Sequence, residues 1–368
     1  MKNSTLLIPA FLLLTPKGYA QPQPDKASWQ TGITYYYGFI YPHTVKIEYL
    51  IQDHVSGFDI FLAKPAISEN VYDQLFHYPR IGVGLFHSSL KNPRVLGSVN
   101  SVTGFFNAPV CRFSEKSELD YQITAGLAYL TRKFDLYNNN LNEAIGTHLN
   151  LHFTAMLNYR VRILKYFEWR GGLSFSHYSN GRVSLPNFGL NYIAVCTGIS
   201  YNISQTPLMY PAPAIPAFDR FNEHIIIMSS GIKQYMTEDP KHYYIHSLIY
   251  DVGRRFRQHL KLSAGTDLFY DASIKTDFEK VKRYGYRYPD LFRIGLHGGF
   301  HLTYRKLTMI VMEGYYIWQG YPPPSMFYSR VGLQYRISDH FIVNLSLKSH
   351  YAIADFVEWG VGYVFIQK

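Results

Sequence analysis

Strict alternation between apolar and polar residues is the feature that most constrains this sequence. From Leu149 to Val161 the odd positions are apolar or small, whereas the even positions carry Asn, His, Thr, Met and Arg. The same period of two recurs from Phe292 to Tyr304 and from Val357 to Phe365. Successive side chains of a strand point to opposite faces, so each segment predicts a long β-strand with one apolar and one polar face.

The composition indicates that the apolar faces meet lipid. Of the 368 residues, 47% are hydrophobic, 17% are aromatic and only 17% are charged. Outer-membrane barrels turn apolar strand faces toward lipid and gather aromatic residues at both interfaces. We therefore predict an all-β fold, an antiparallel transmembrane β-barrel of the bacterial outer membrane, with a secreted all-β protein as the alternative. After the first fifteen residues no apolar run is long enough for a membrane-spanning helix.

The chain divides into four segments. Residues 1–20 have the pattern of a secretory signal peptide, with Lys2 ahead of an apolar stretch and Ala20 at the end. Residues 21–203 form a first set of strands, 204–222 a proline-rich connector, and 223–368 a second set. Proline cannot donate to a strand ladder, so the connector is not a strand. One barrel of about 14–16 strands is the preferred arrangement, and two tandem eight-stranded barrels are the alternative.

The charge pattern bears on partners and localisation. The chain has a formal net charge of +10 and contains only two cysteines, so at most one disulfide can form. The positive charge is dispersed and the chain is predicted to be exported, which argues against nucleic acid as a partner and favours anionic lipid head groups. We expect membrane lipid to surround the protein, while its oligomeric state stays open.

Three polar residues share a predicted lipid-facing side. His177 and Ser179 lie two residues apart at the end of one strand, and Asn191 has the same parity on the next strand. A histidine beside a serine can remove the hydroxyl proton, and a third polar group can fix the histidine tautomer. The spacing therefore indicates a serine-nucleophile triad. The alternative is a polar strand end near the membrane interface, where these residue types are common.

The motifs around these residues resemble a known family. His-x-Ser-Asn-Gly, beginning at His177, is followed by Pro-Asn-x-Gly, and this pair of motifs resembles the outer-membrane lipid A deacylases, also called acyloxyacyl hydrolases. The resemblance covers residues 29–203. It implies that Ser179 is the nucleophile, that His177 is the base, and that Asn180 and Asn187 are oxyanion donors. That family carries a glutamate where this chain has Asn191, so the charge that would stabilise the imidazolium is missing.

The resemblance implies an ester hydrolase acting on lipid A of lipopolysaccharide in the outer leaflet, with no cofactor and no metal. The His-x-Ser-Asn-Gly-Arg stretch also resembles outer-membrane phospholipase A, which has an asparagine at the position of Asn191 and which calcium assists. That enzyme is the first alternative. The second is a non-enzymatic channel or structural barrel that retains a vestigial motif.

Overall fold

The computed structural model describes residues 29–203, 210, 212–280, 286–351 and 353–367. The signal peptide expected at residues 1–20 lies outside the described residues. Within them the chain forms sixteen strands, all paired antiparallel, two short α-helices and two 3-10 helices. No helix in these ranges is long and apolar enough to cross a membrane.

The first eight strands precede the connector and the second eight follow it. They are β1 (Gln30–Tyr41), β2 (Val55–Pro65), β3 (Arg80–Ser89), β4 (Ser98–Arg112), β5 (Ser117–Leu130), β6 (Leu149–Arg162), β7 (Phe167–Ser179), β8 (Leu190–Asn202), β9 (Phe221–Gln234), β10 (His242–Arg257), β11 (Leu260–Asp271), β12 (Phe292–Tyr304), β13 (Leu307–Gln319), β14 (Phe327–Arg336), β15 (Phe341–His350) and β16 (Ile353–Gln367). The helices are α1 (Val71–Leu75), α2 (Ile274–Lys280) and the 3-10 segments Val45–Leu50 and Tyr288–Leu291.

The strands close into two separate barrels rather than one. β8 pairs with β1 along its length, from Gln30 opposite Asn202 to Tyr41 opposite Asn191. In the second half β16 pairs with β9 in the same way. The prediction of an antiparallel barrel is confirmed, but the preferred single barrel of 14–16 strands is wrong and the two-barrel alternative is correct. The physical reason is that β8 uses its free edge on β1, which leaves no edge for β9 to join.

The alternation predicted from the sequence is present in both barrels. Outward positions are apolar and exposed, as at Leu85, Leu173 and Val361, whose exposed fractions are 62%, 61% and 62%. The inward positions between them are buried, and many are polar. An ordinary soluble sandwich buries its apolar faces, so this inverted distribution is the one expected of strands that meet lipid.

Buried ion pairs fill the interior of each barrel. In the first barrel Arg160 Nε lies 3.0 Å from Asp120 Oδ2. In the second, Arg330 lies between Glu358, at 2.7 Å, and Asp267, at 3.1 Å. Charges removed from water must be paired, and these networks satisfy that requirement while occupying the barrel interiors.

The two barrels touch at both ends. At one end Asp73 of α1, which is fully buried, accepts hydrogen bonds from Tyr304 Oη at 2.7 Å and from Arg305 Nε at 3.0 Å. Phe76 packs edge-on against Tyr304 in the same region. At the other end the β7–β8 loop meets Gln234, the last residue of β9. β7 and β9 therefore end on the same side of the molecule.

Candidate active site

His177 and Asn191 form the centre of the candidate site. They are directly opposite one another on β7 and β8, on the outer face of the first barrel. His177 Nδ1 lies 2.7 Å from Asn191 Oδ1, a short hydrogen bond. An amide oxygen only accepts, so the proton of this bond belongs to His177 Nδ1. The Nε2 atom of His177 is therefore the unprotonated nitrogen of the neutral ring and can act as a base.

A second histidine fixes the amide of Asn191. Asn191 Nδ2 lies 3.0 Å from Nδ1 of His43, which follows β1 in the chain, and donates to it. Since Nδ2 is committed to His43, Oδ1 must face His177. Desolvation lowers the pKa of His43 from the ordinary value of 6.5, and a hydrogen bond to the backbone of Phe188 opposes this effect. His43 is therefore neutral at neutral pH, which is the state that accepts from Asn191.

Sequence reasoning missed His43 because it lies in a loop without periodicity. The signal that would find it is the closure of β8 on β1. Tyr41 is opposite Asn191 in that pairing, so the loop immediately after Tyr41 must pass beside Asn191.

Ser179 is the last residue of β7 and lies opposite Leu151 of β6. It is on the same outer face as His177, and 6% of its surface is exposed. Among the described residues no hydrogen bond joins Ser179 Oγ to His177. Catalytic hydrogen bonds are often long or poorly aligned before substrate binds, so the missing bond does not exclude the pair, and the two residues share one face of β7.

The loop between β7 and β8 brings Asn180 and Asn187 together. The backbone N–H of Asn180 donates to Asn187 Oδ1 at 3.1 Å, and its side-chain Nδ2 donates to the carbonyl of Ser184 at 2.9 Å. The backbone N–H and one of the two side-chain N–H groups of Asn180 are thus used within the loop. Asn187 Oδ1 is also used, whereas no hydrogen bond among the described residues uses its Nδ2. Of the two predicted oxyanion residues, Asn187 has the more available donor.

Gly189 lies against the imidazole of His177. Its φ is +77°, and an added Cβ would come within 2.9 Å of His177 Cε1 and 3.5 Å of Nε2. Only glycine adopts this backbone conformation at low cost, and it leaves space beside the two ring atoms that face the loop.

Two other outward histidines also form a hydrogen bond with a polar side chain on the neighbouring strand. His246 Nδ1 lies 2.9 Å from Ser230 Oγ in the second barrel, and His87 Nδ1 lies 2.8 Å from Asn100 Oδ1 in the first. Such cross-strand pairs satisfy polar groups on an apolar face. The His177 pair differs because a second histidine holds the amide and a polar loop borders the ring. Within the described ranges no group of three or more His, Cys, Asp or Glu is arranged to hold a metal ion.

The comparison with family models covers both barrels. A model described as lipid A 3-O-deacylase matches residues 66–200, and one described as acyloxyacyl hydrolase, C-terminal domain, matches residues 222–368. The chain belongs to the lipid A 3-O-deacylase family. The first match includes β7, the β7–β8 loop and most of β8 of this deacylase-family protein, and the second covers nearly all of its second barrel. No curated protein matches the chain.

The solved structures that match this deacylase-family protein are only weakly similar to it. A multiply substituted mutant of Rh. blastica porin has 8% identity, covers 92% of this chain and 100% of its own, and has a TM-score of 0.17. The Pseudomonas putida toluene transporter TodX has 8% identity, covers 93% of this chain and 89% of its own, and has a TM-score of 0.19. These TM-scores are too low to carry an argument, and the architecture rests on the strand pairing.

Proposed function

We propose that this protein is an outer-membrane serine esterase that removes an acyl chain from lipid A of lipopolysaccharide. Family membership supports ester hydrolysis on lipid A as the chemistry. The observation that carries the proposal is the 2.7 Å hydrogen bond from His177 Nδ1 to an amide that His43 holds in one orientation. That arrangement leaves His177 Nε2 free to act as a base beside Ser179.

In the first step Ser179 Oγ attacks the carbonyl carbon of the ester, and its proton passes to His177 Nε2. The carbonyl oxygen becomes an oxyanion, which accepts a hydrogen bond from Asn187 Nδ2. His177 is now an imidazolium, and the amide oxygen of Asn191 stabilises its Nδ1–H and keeps the ring in place. A neutral amide does this less well than a carboxylate, but it still fixes the tautomer.

In the second step the ester C–O bond breaks, and the leaving alkoxide takes the proton from His177 Nε2. The acyl group is then bound to Ser179 Oγ. Water attacks this acyl-enzyme, gives one proton to His177 Nε2 and releases the fatty acid, and the proton returns to Ser179. Neither step calls for a cofactor.

The location proposed for the site agrees with that substrate. A barrel with both termini in the periplasm directs its odd-numbered strands outward. β7 is the seventh strand, so Ser179 at its end would lie at the extracellular rim. Lipopolysaccharide in the outer leaflet is then the partner that this surface meets.

The non-enzymatic channel is the less favoured function. A channel needs a continuous polar lumen, whereas the inward side chains of both barrels are buried and joined in ion-pair networks. The phospholipase alternative acts on a different lipid, so the assay below includes phospholipid.

The test is mass spectrometry of lipid A and phospholipids from cells that make the wild type, Ser179→Ala or Ser230→Ala. Ser230→Ala is a matched control because Ser230 is likewise an outward serine near the end of a strand, bonded to His246, but it lies outside the site loop. We expect lipid A that has lost an acyl chain with the wild type and with Ser230→Ala, and intact lipid A with Ser179→Ala. Intact lipid A with cleaved phospholipid would support the phospholipase, and no cleavage by any form would refute the esterase.

A further inference from the structure

The second barrel holds the β7–β8 loop through Gln234, the last residue of β9. Gln234 Oε1 accepts from the backbone N–H of Leu185 at 2.8 Å and from Ser184 Oγ at 3.0 Å. The backbone N–H of Gln234 in turn donates to the carbonyl of Arg182 at 3.2 Å. Three hydrogen bonds therefore connect one residue of the second barrel to a four-residue stretch of the loop.

The orientation of the Gln234 side chain is fixed from its own barrel. Gln234 Nε2 donates to the carbonyls of Met236 at 2.7 Å and Asp239 at 2.9 Å. The side chain is 4% exposed, so water competes little for these bonds. With both amide hydrogens engaged there, Oε1 can only face the β7–β8 loop.

The contact continues from the loop to the proposed oxyanion residues. The carbonyl of Ser184 accepts from Asn180 Nδ2, and the backbone N–H of Asn180 donates to Asn187 Oδ1. Hydrogen bonds therefore connect Gln234 to the amide of Asn187 by way of two loop residues, Ser184 and Asn180. Moving Ser184 would move the donor that Asn187 presents to the oxyanion.

A close approach at Gly181 makes the loop contact tighter. Gly181 has a φ of +63°, and an added Cβ would lie 2.3 Å from Val357 Cγ2 on the outer face of β16. A larger residue would therefore require the Val357 side chain or the loop to move. The loop is therefore packed on the second barrel at Gly181 and bonded to it at Gln234.

We propose that the second barrel is a structural part of the active site and that Gln234 is a positioning residue for the oxyanion donor Asn187. This inference rests on the function proposed above. It predicts that turnover depends on Gln234 although Gln234 touches neither the substrate nor His177. The contact at the other end of the barrels, between Asp73 and Arg305, has no such connection to the loop.

The experiment uses the full-length protein in mixed micelles with lipopolysaccharide. Gln234→Leu removes the acceptor, and Arg305→Ala loosens the barrels at the far end. Loss of one oxyanion donor costs roughly 10²–10³ in kcat, so for its displacement by Gln234→Leu we expect about a 10-fold or larger fall in kcat, with KM nearly unchanged. Arg305→Ala should stay within about 3-fold of the wild type.

Hydrogen exchange of the segment 180–187 provides a readout that does not depend on activity. The amides of Leu185 and Asn180 should exchange faster in Gln234→Leu than in the wild type or in Arg305→Ala. Unchanged exchange, or faster exchange with unchanged kcat, would overturn the inference. An equal fall of kcat in Arg305→Ala would also overturn it, because docking in general would then be responsible. If the wild type hydrolyses nothing, the proposed function fails. Faster exchange in Gln234→Leu would even then show that Gln234 holds the β7–β8 loop in place.

Discussion

Replacing Asn191 by alanine tests the proposed mechanism most directly. The substitution removes the 2.7 Å hydrogen bond at His177 Nδ1, which strengthens when the ring becomes charged in the transition state. A hydrogen bond to a charged group contributes about 1.5–3 kcal/mol. At about 1.4 kcal/mol per tenfold in rate, kcat should fall roughly 10- to 150-fold. The fall should appear in kcat rather than in KM, because the bond matters most after proton transfer.

Asn191→Glu is the companion variant. A carboxylate accepts from His177 Nδ1–H as the amide does, and it adds the negative charge that stabilises the imidazolium. We expect activity equal to or above that of the wild type.

The assay is fatty acid release from lipopolysaccharide in mixed micelles, with heat-modifiable migration as the check on barrel assembly. Asn191 lies on the outer face, one residue pair from the end of the β7–β8 ladder, so neither variant should alter barrel assembly. Equal turnover by the wild type and Asn191→Ala would refute the role assigned to Asn191. Equal inactivity of all three proteins toward lipid A and phospholipid would make the site vestigial.

Three further predictions follow from the surroundings of the site and from the contact between the barrels. The added methyl group of Gly189→Ala must displace the His177 ring by about 0.5 Å, so hydrolysis should fall about 10-fold. The melting temperature is the control measurement and should fall only slightly, because the positive φ costs alanine only about 1 kcal/mol. His43 must be neutral to accept from Asn191, and its pKa is lowered from 6.5, so activity should fall on the acid side with a slope steeper than one proton. His43→Gln, which accepts at any pH, should reduce that slope to one proton, and an unchanged slope would exclude His43 from the site. Burial and nearby arginines lower the pKa of His259, in the β10–β11 turn, to about 4. The unfolded chain therefore takes up a proton below pH 6.5 that the folded chain resists, so thermal stability should decline from pH 6.5 toward 4, and less so in His259→Phe.

The alternation of side chains predicted much of the fold and of the site. It gave the lipid-facing and interior residues of strands such as β6 and β12, and it correctly put His177 on the same face as Asn191. Alternation is a property of single strands, however, and it does not say which strand comes next in the sheet. The edge of β8 would suit β9 as well as β1 by pattern alone, which is why one barrel and two could not be separated.

Because alternation does not show which strands are neighbours, it also could not predict the parts that His43 and Gln234 play at the candidate site. His43 becomes a neighbour of Asn191 only when β1 closes on β8, and a single barrel would have separated them. Gln234 reaches the loop only through the packing of one barrel on another, across 49 residues from Leu185. Neither contact produces a periodic pattern in the sequence, so both could be found only from the three-dimensional structure.

The separate closure of the two barrels has a consequence for how the halves associate. Each barrel pairs its own first and last strands, so neither needs an edge from the other. The molecule is in effect a covalent heterodimer, in which the connector supplies a high effective concentration instead of a shared sheet. Cleaving that connector would leave two closed units that still share the contacts described at the two rims. Two polypeptides synthesised separately could then reconstitute the pair in one bilayer through those rim contacts.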